Sequence, residues 1–290
     1  MSTPSDPQRE HPSTYMVQNR SIEEEMKRLQ AQDQMLNSSM GGLLAEQEDP
    51  ARFKSVLDVG CGTGGWLIEL ARTYPGMTRL VGVDPSGTIL DFARAQARAM
   101  QVEDRVEFHI MDALRRLDFP NASFDLVNQR LGISWLRTWD WPKLLQEYQR
   151  VTRRGGVVRI TESTWTDEHG MSPALVQLGN LSLQAFYHAG HSFRPSSDGV
   201  TGELERLLRQ HGLGQVQSRT CVIEYPAGTP EGKLFIEDMT RLFSVLKPFM
   251  QKWTRLPDDY DEIYQRMVDE INQPSFVGRM HLLTAWGSKV

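Results

Sequence analysis

This sequence of 290 residues has few cysteines, no long apolar run and only a small net charge. Its two cysteines, Cys61 and Cys221, are too few for a disulfide framework and lack the spacing of a metal site. No apolar stretch approaches the roughly 18 to 20 residues that cross a bilayer, and the first residues contain no apolar signal core. We therefore expect a cytoplasmic protein with no membrane partner and no bound metal.

Neither sign of charge is in large excess, because the formal net charge is −5 and no long block of like charges occurs. This balance gives no bulk attraction to nucleic acid. The sequence also lacks a basic stripe with interleaved aromatic residues, the pattern typical of a nucleic-acid-binding surface. Composition therefore predicts that the partner is not a nucleic acid.

The pattern divides the chain into a leader, an N-terminal helical segment and one large domain. Residues 1–20 are polar and contain prolines, and we expect them to be disordered. Residues 21–50 begin with Ser21 and Glu24 at capping-box spacing and continue with apolar residues at helical spacing. Two interpretations of this segment stay open: it packs on the main domain, or it also closes over the functional site.

Residues 51–290 form the predicted main domain, which begins with alternating strand and helix patterns. Strands are predicted at 56–59, 79–83, 106–110, 124–128 and 157–161, and helices at 63–73, 86–100 and 141–151. Arg154-Gly155-Gly156 is predicted to be a turn before the fifth strand. This order predicts a parallel sheet with helices on both faces, and ligands then belong at the carboxyl ends of the strands.

The alternation changes after Glu162. Helical patterns follow at about 171–192, 230–252 and 258–271, a short helix ends at Gly212, and strand patterns cover about 215–225 and 276–286. We predict that residues of about 163–198 and 227–274 are helical insertions that form a substrate lid on the sheet.

Residues 56–65 read Val-Leu-Asp-Val-Gly-Cys-Gly-Thr-Gly-Gly, so that glycines cluster directly after the first predicted strand. Gly60, Gly62 and Gly65 have the G-x-G-x-x-G spacing of a dinucleotide-binding turn. Gly60, Gly62 and Gly64 have the G-x-G-x-G spacing of methyltransferases that bind S-adenosylmethionine. The spacing alone leaves both interpretations open.

Asp58, two residues before the first glycine, discriminates between these cofactors. A nicotinamide cofactor would place its pyrophosphate at the N-terminus of the following helix. A carboxylate is a poor neighbour for pyrophosphate and a good one for the ammonium and sulfonium of S-adenosylmethionine. Asp58 therefore favours the second interpretation.

Further acids follow the next two strands. Asp84 ends the second strand, where a carboxylate accepts hydrogen bonds from the ribose hydroxyls of either cofactor. Asp112 follows the third strand, where a carboxylate suits the adenine amine. Together with the glycine loop, the Phe124–Val127 strand and the Thr152–Gly156 turn, these acids make residues 50–162 resemble the class I S-adenosylmethionine-dependent methyltransferases. The Thr152–Gly156 turn lacks the proline that is usual in that family.

The resemblance implies an α/β, Rossmann-like class I methyltransferase fold. Its sheet would be seven-stranded and mostly parallel, with an antiparallel last strand, helices on both faces and helical lid insertions. The implied cofactor is S-adenosyl-L-methionine. The residues assigned to it are Asp58, Gly60, Cys61, Gly62, Gly64, Asp84, Pro85, Asp112, Ala113 and Asn128. Cys61 is interpreted as a small packing residue rather than a nucleophile, because methyl transfer needs no enzyme thiol.

Candidate substrate-binding residues follow the fourth strand and recur in the predicted lid. They are Arg130, Trp135, Trp139 and Tyr187. The tryptophans belong to a segment with three of them, which suits an aromatic-walled pocket for an apolar, planar or cationic molecule. Packing of the following helix against the sheet explains them equally well, and both interpretations stay open.

The candidate catalytic bases are His188, His191 and Glu162, with His169 as a further histidine. Histidine suits removal of a proton from a hydroxyl near neutral pH, whereas an amine or carboxylate acceptor needs no strong base. The acidic run Asp258–Glu262 has no calcium-loop spacing, and carboxylates at the positive end of a helix explain it better.

These patterns predict in-line transfer of a methyl group to an oxygen, nitrogen or carbon atom of a small molecule in specialised metabolism. Lid-like helices enclose a small substrate, and no extra module for a macromolecule is visible. A protein or RNA methyltransferase stays open as an alternative, as does an enzyme of this fold with non-methyl chemistry. The expected assembly is a monomer or homodimer.

Overall fold

The computed structural model describes residues 22–164 and 172–290. The predictions for the 1–20 leader, for Ser21 and for His169 lie outside these residues. The helices are α1 Ile22–Ser39, α2 Gly65–Thr73, α3 Gly87–Ala99, α4 Trp141–Val151, α5 Pro173–His188, α6 Leu204–Gln210, α7 Pro230–Trp253 and α8 Tyr260–Ile271. The strands are β1 Ser55–Val59, β2 Arg79–Asp84, β3 Val106–Ile110, β4 Phe124–Arg130, β5 Thr152–Thr164, β6 Leu213–Pro226 and β7 Val277–Lys289.

The seven strands form one sheet in the order β3-β2-β1-β4-β5-β7-β6. Strands β1 to β5 pair in parallel, and β7 is antiparallel to both β5 and β6. The predicted fold class is therefore confirmed. Because the chain crosses from β1 to β2 on one side and to β4 on the other, the carboxyl ends of β1 and β4 border the crevice where such sheets bind ligands.

Alternate residues of the central strands pack into two separate cores. Val56 and Leu126 face α2 and α3, where Trp66 is fully buried. Leu57 and Val127 face α4 and α6. This alternation follows from the two-residue period of a strand, and it explains why the central strands are apolar almost throughout.

A third core lies beyond the carboxyl ends of the strands. Helices α5, α7 and α8 pack on one another there, together with the end of α1 and parts of β6 and β7. These helices fall within the two predicted insertions, 163–198 and 227–274, and they cover the ligand-binding end of the sheet.

Two element boundaries differ from the sequence prediction because of glycines in left-handed conformations. Helix α2 begins at Gly65 rather than residue 63, since Gly62 and Gly64 have φ of +52° and +74°, outside the helical region. Strand β5 begins at Thr152 rather than residue 157, and the predicted turn is an irregularity within it, where Gly155 has a φ of +74° and the register with β4 shifts.

Candidate active site

A cavity of about 430 Å³ lies at the carboxyl ends of β1 to β4. The loops that follow these strands form its floor, and α1, α5 and α7 close the opposite side. Such a volume is within the usual range for a small-molecule site, roughly 300 to 1,000 Å³.

The glycine loop presents bare backbone to this cavity. Gly60, Gly62 and Gly64 all have positive φ, between +52° and +74°. The loop is held from below, because the N–H groups of Gly60 and Cys61 donate to Val83 O at 2.9 and 3.1 Å. The backbone of Gly60 and Gly62 thus lines the cavity without side chains, and a ligand is able to approach it closely.

Gly64 has a packing function that its spacing in the motif does not reveal. It does not line the cavity, and a Cβ atom at this position would lie 2.5 Å from Cζ of Phe108. It also precedes the first residue of α2 with left-handed geometry. Only glycine therefore allows the loop, α2 and β3 to meet at this distance.

Asp58, Asp84 and Asp112 line one side of the cavity from the ends of three neighbouring strands. Asp84 accepts hydrogen bonds from Gly62 N at 3.2 Å and Ser86 N at 2.9 Å, and so ties the glycine loop to the next helix. Asp112 accepts from Leu114 N at 2.9 Å. Pro85 and Ala113, each next to one of these acids, also line the cavity.

Asp58 is the most buried of the three acids, and burial raises its pKa to about 6. Arg130 and Asn128 oppose this increase, and Asn128 Nδ2 donates to Asp58 Oδ1 at 2.7 Å. Asn128 itself does not line the cavity, so its contact with a ligand would pass through Asp58.

The carboxylates of the cavity fit S-adenosylmethionine better than a dinucleotide. Three carboxylates suit an ammonium group, a ribose diol and an adenine amine, and they would repel a pyrophosphate. Cys61 also lines the cavity, but burial raises the pKa of its thiol, as do Asp84 and Asp58. It is therefore a protonated packing group rather than a nucleophile.

Helix α1 forms the roof over the glycine loop. Its Asp33 accepts from Arg130 Nη2 at 2.6 Å and from Thr63 Oγ1 at 3.1 Å, while Arg130 Nη1 donates to Asn37 at 3.1 Å. These contacts connect the N-terminal segment to β4 and to the glycine loop across the cavity.

The opposite half of the cavity, which we call the acceptor half, is mainly apolar. Its walls come from α5, α7 and β7, namely Leu183, Phe186, Phe235, Met239, Leu242, Phe243, Leu246 and Met280. Within this surface, Arg28 of α1 and Asp238 of α7 form an ion pair at 3.6 Å, and both are buried. Neither Arg28 nor Asp238 was predicted from the sequence, although Asp238 is recognisable there as an acid within an otherwise apolar helical face.

The three candidate bases do not line the cavity. Glu162 is fully buried and accepts from the backbone N–H groups of Gly132 (2.7 Å) and Ile133 (3.3 Å), so its carboxylate holds the turn after β4 in place. Burial raises the pKa of Glu162 to about 7 in spite of these hydrogen bonds. The sequence prediction placed Glu162 at the end of a strand, but β5 continues to Thr164, and the turn after β4 covers the carboxylate.

The candidate histidines His188 and His191 are also held outside the cavity. His191 is buried with Nδ1 on Leu136 O at 2.8 Å, and burial together with Arg137 lowers its pKa to about 4. His188 is exposed at the end of α5, with Nδ1 on Trp253 O at 2.9 Å. Neither arrangement aims a basic nitrogen at the ligand space.

The substrate candidates separate into two pairs. Arg130 and Trp135 line the cavity, and the Trp135 ring lies against Gly60. Trp139 is 67% exposed and rests against Gly190, and Tyr187 is 42% exposed on the outer face of α5. We correct the prediction for Trp139 and Tyr187: neither side chain lines the cavity, because Trp139 lies in the turn before α4 and Tyr187 is on the exposed face of α5.

Residues 22–164 and 172–290 contain neither a cluster of metal-binding side chains nor a helix able to cross a membrane. No group of three or more His, Cys, Asp or Glu side chains there has metal-binding geometry. Asp258 and Asp259 lie just before α8, as expected for acids at a helix start. In the same ranges, no helix has both the length and the apolar character that a membrane crossing requires.

Comparison with known proteins identifies the central part of the chain. The family model "Methyltransferase domain" matches residues 56–156. N-methyltransferase gliN of Aspergillus fumigatus is 27% identical over 287 residues, which cover 92% of this chain and 94% of that protein. A demethylmenaquinone methyltransferase of Deinococcus radiodurans is 38% identical over 198 residues, 67% of this chain and 66% of that protein.

A solved structure shares the fold. Phosphoethanolamine N-methyltransferase 2 of Haemonchus contortus, in complex with S-adenosylhomocysteine, superposes with a TM-score of 0.54 at 20% identity. The match covers 92% of this chain and 58% of the other, so this chain spans little more than half of that protein.

Proposed function

This chain belongs to the class I S-adenosyl-L-methionine-dependent methyltransferases, and we propose that it methylates a nitrogen atom of a small, largely apolar molecule in specialised metabolism. S-adenosyl-L-methionine is its methyl donor. One observation carries the proposal for the acceptor: within the described part of the chain, no histidine, lysine, tyrosine or glutamate lines the cavity, and Asp238, the carboxylate of the acceptor half, is ion-paired with Arg28 at 3.6 Å. A hydroxyl acceptor would need a base outside such an ion pair to remove its proton, whereas a neutral amine already has a lone pair.

The relatives support a nitrogen acceptor and a small substrate. The names of the Aspergillus fumigatus and Haemonchus contortus proteins both specify N-methyltransferases. The Deinococcus radiodurans relative is named for demethylmenaquinone, which is likewise a small molecule. The apolar walls of the acceptor half agree with such substrates.

We assign the polar groups of the cofactor to the three acids of the cavity according to the positions of these acids at the strand ends. Asp84 would accept from the ribose hydroxyls, Asp112 from the adenine amine, and Asp58 from the ammonium group. Gly60 and Gly62 would leave room for the methionine end, and Arg130 would hold α1 closed over it through Asp33. Trp135 would support the glycine loop from the acceptor side.

When bound, the cofactor supplies an electrophilic methyl group on its sulfonium. The protein then needs to orient the acceptor in line with that methyl group and to exclude water, and orientation alone accelerates such reactions by roughly 7 to 11 kcal/mol. The aromatic and aliphatic walls of α5 and α7 would provide both. Among the described residues, Asp238 is the single carboxylate in the acceptor half, and it is placed to accept the N–H of the acceptor.

We further propose that the protein acts in the cytoplasm as a monomer or homodimer and that it does not need nucleic acid. The acceptor half, covered by α5 and α7, suits an enclosed small molecule better than a macromolecular chain.

The test is conversion of S-adenosylmethionine to S-adenosylhomocysteine with matched acceptors: apolar secondary amines and the alcohols of the same carbon skeleton. Turnover with amines and none with alcohols is the expected result. A preference for alcohols would contradict the nitrogen assignment. Turnover only with protein or RNA would overturn the small-molecule proposal, and consumption of an acceptor without S-adenosylhomocysteine formation would indicate non-methyl chemistry.

A further inference from the structure

Three polar side chains form a row across the sheet beneath the cavity. Asp58, Asn128 and Arg159 are register partners on β1, β4 and β5, so their side chains point to the same face. Arg159 Nη1 donates to Asn128 Oδ1 at 2.7 Å, and Asn128 Nδ2 donates to Asp58 Oδ1 at 2.7 Å. All three are buried, and only Asp58 reaches the cavity. We call these residues the cross-strand row.

Glu46 completes the row at its far end. Arg159 Nε donates to Glu46 Oε1 at 2.7 Å, and the two side chains are 1% and 4% exposed. Burial would raise the pKa of Glu46, but the charge and hydrogen bond of Arg159 outweigh it, and the pKa is lowered. The row therefore ends in a buried ion pair whose charges compensate each other.

We propose that Arg159 is a positioning residue for cofactor binding, which fixes the amide of Asn128 so that Asp58 receives the ammonium group of the cofactor. A guanidinium has only donors, so the amide oxygen of Asn128 must face Arg159 and its NH2 group must face Asp58. Without Arg159 the Asn128 amide is able to turn its oxygen toward the Asp58 carboxylate. Asp58 then loses its hydrogen bond from the Asn128 NH2 group and is repelled by the amide oxygen. This inference rests on the proposed role of Asp58.

Charged and titratable groups from several elements face Asp58. They are Asp33 of α1, Arg130 of β4, Arg159 of β5, Tyr148 of α4 and Cys61 of the glycine loop. The Asp58 pKa of about 6 is the net result of burial, which raises it, and of Arg130, Asn128 and Arg159, which all lower it. Because an ammonium group binds the ionised carboxylate, cofactor affinity should fall as pH drops below that pKa, by up to about tenfold per pH unit.

The experiment measures the Kd of S-adenosylhomocysteine by calorimetry from about pH 5 to about pH 8.5. Arg159→Met is expected to move the midpoint of the pH dependence upward by about one unit, which weakens binding about twofold at pH 7 and up to about tenfold below pH 6. Affinity at the alkaline end should change little. Glu46→Gln keeps the donor to Asn128 and leaves the positive charge uncompensated, so its midpoint should move downward.

Two controls separate positioning from loss of fold. The double variant Glu46→Gln/Arg159→Met leaves no unpaired buried charge, and it should still show the upward shift because the donor to Asn128 is missing. Arg79→Met on β2, which removes an exposed ion pair with Glu107 of β3, should leave the midpoint unchanged. 5′-Methylthioadenosine, which has no ammonium group, should bind all these variants with the same affinity.

Asp58→Asn separates two possible failures: that of the proposed role of Arg159, and that of the proposed role of Asp58 on which it rests. If Asp58→Asn leaves S-adenosylhomocysteine binding unchanged, the proposed role of Asp58 is wrong. If Asp58→Asn weakens binding but Arg159→Met and the double variant keep the midpoint of the natural protein, Arg159 is not a positioning residue. Equal weakening at every pH, shared by 5′-methylthioadenosine, would show a purely structural role and also overturn the inference.

Discussion

The two halves of the cavity are built in opposite ways. In the cofactor half, the polar residues come from three loops that directly follow neighbouring strands, within residues 58–114. In the acceptor half, apolar side chains come from helices and a strand that are far apart in the sequence, namely α1, α5, α7 and β7. The first half is a product of parallel-sheet geometry, whereas the second is a product of helix packing.

The difference indicates how each half achieves specificity. A ligand with fixed hydroxyl and ammonium groups is held by charged hydrogen-bond acceptors at fixed strand ends. The proposed apolar acceptor would be held by shape, with the buried ion pair Arg28–Asp238 to orient its polar atom. Variants in one half should therefore affect one ligand and leave the other unchanged.

The largest effect is expected from Asp84→Ala in the cofactor half. It removes the acceptor for the ribose hydroxyls and the support of Gly62, so S-adenosylhomocysteine affinity should fall by about 100-fold or more, from two charge-assisted hydrogen bonds. Calorimetry measures the change. Asp91→Ala, on the exposed face of α3, is the matched control and should bind normally; equal affinity of Asp84→Ala and the natural protein would contradict the assignment.

A smaller and more selective effect is expected from Asp238→Asn in the acceptor half. The amide has nearly the same shape but has lost the charge, so kcat/KM for the acceptor should fall by about 10- to 100-fold. S-adenosylhomocysteine affinity should stay the same, which steady-state kinetics and calorimetry together would establish. Its exposed neighbour Glu237, changed to Gln, serves as the control. A joint loss of both ligands would refute the separation of the halves.

The smallest effects should distinguish two tryptophans four residues apart. Trp135→Ala removes the ring that lies against Gly60, and S-adenosylhomocysteine affinity should fall by about tenfold, or about 1.4 kcal/mol. Trp139→Ala removes an exposed ring and should change affinity less than about twofold and stability by less than about 0.5 kcal/mol. Calorimetry and thermal unfolding check both variants, and equal effects would refute the assigned positions.

Much of the fold was predictable, because its elements are short and regular. The sequence pattern places β3 and α4 at their observed bounds, and the first strands and helices within about two residues. The larger error at β5 arose because Arg154-Gly155-Gly156 was interpreted as a turn before the strand, whereas pairing with β4 includes both Thr152 and Val157. A glycine pair in the sequence does not reveal whether strand pairing continues past it.

The candidate bases show where such reasoning fails. Glu162 follows the predicted fifth strand, as a catalytic acid would, yet it lies within β5 and accepts hydrogen bonds from the backbone N–H groups of the turn after β4. His188 lies on a lid helix, but its position on the helix turns it outward. Burial and side-chain direction depend on which segments pack on top, and no single stretch of sequence contains that information.

The sequence by itself determined the parallel sheet, the glycine loop and the acids Asp58, Asp84 and Asp112. It did so because each depends on neighbours within a few residues and on the fixed geometry of a strand end. Only the tertiary structure decided that Arg28 meets Asp238, that Arg159 reaches Asp58 through Asn128, and that the histidines at 188 and 191 lie outside the cavity. Those relations join residues that are far apart along the chain, and only the register of the sheet and the packing of the helices bring them together.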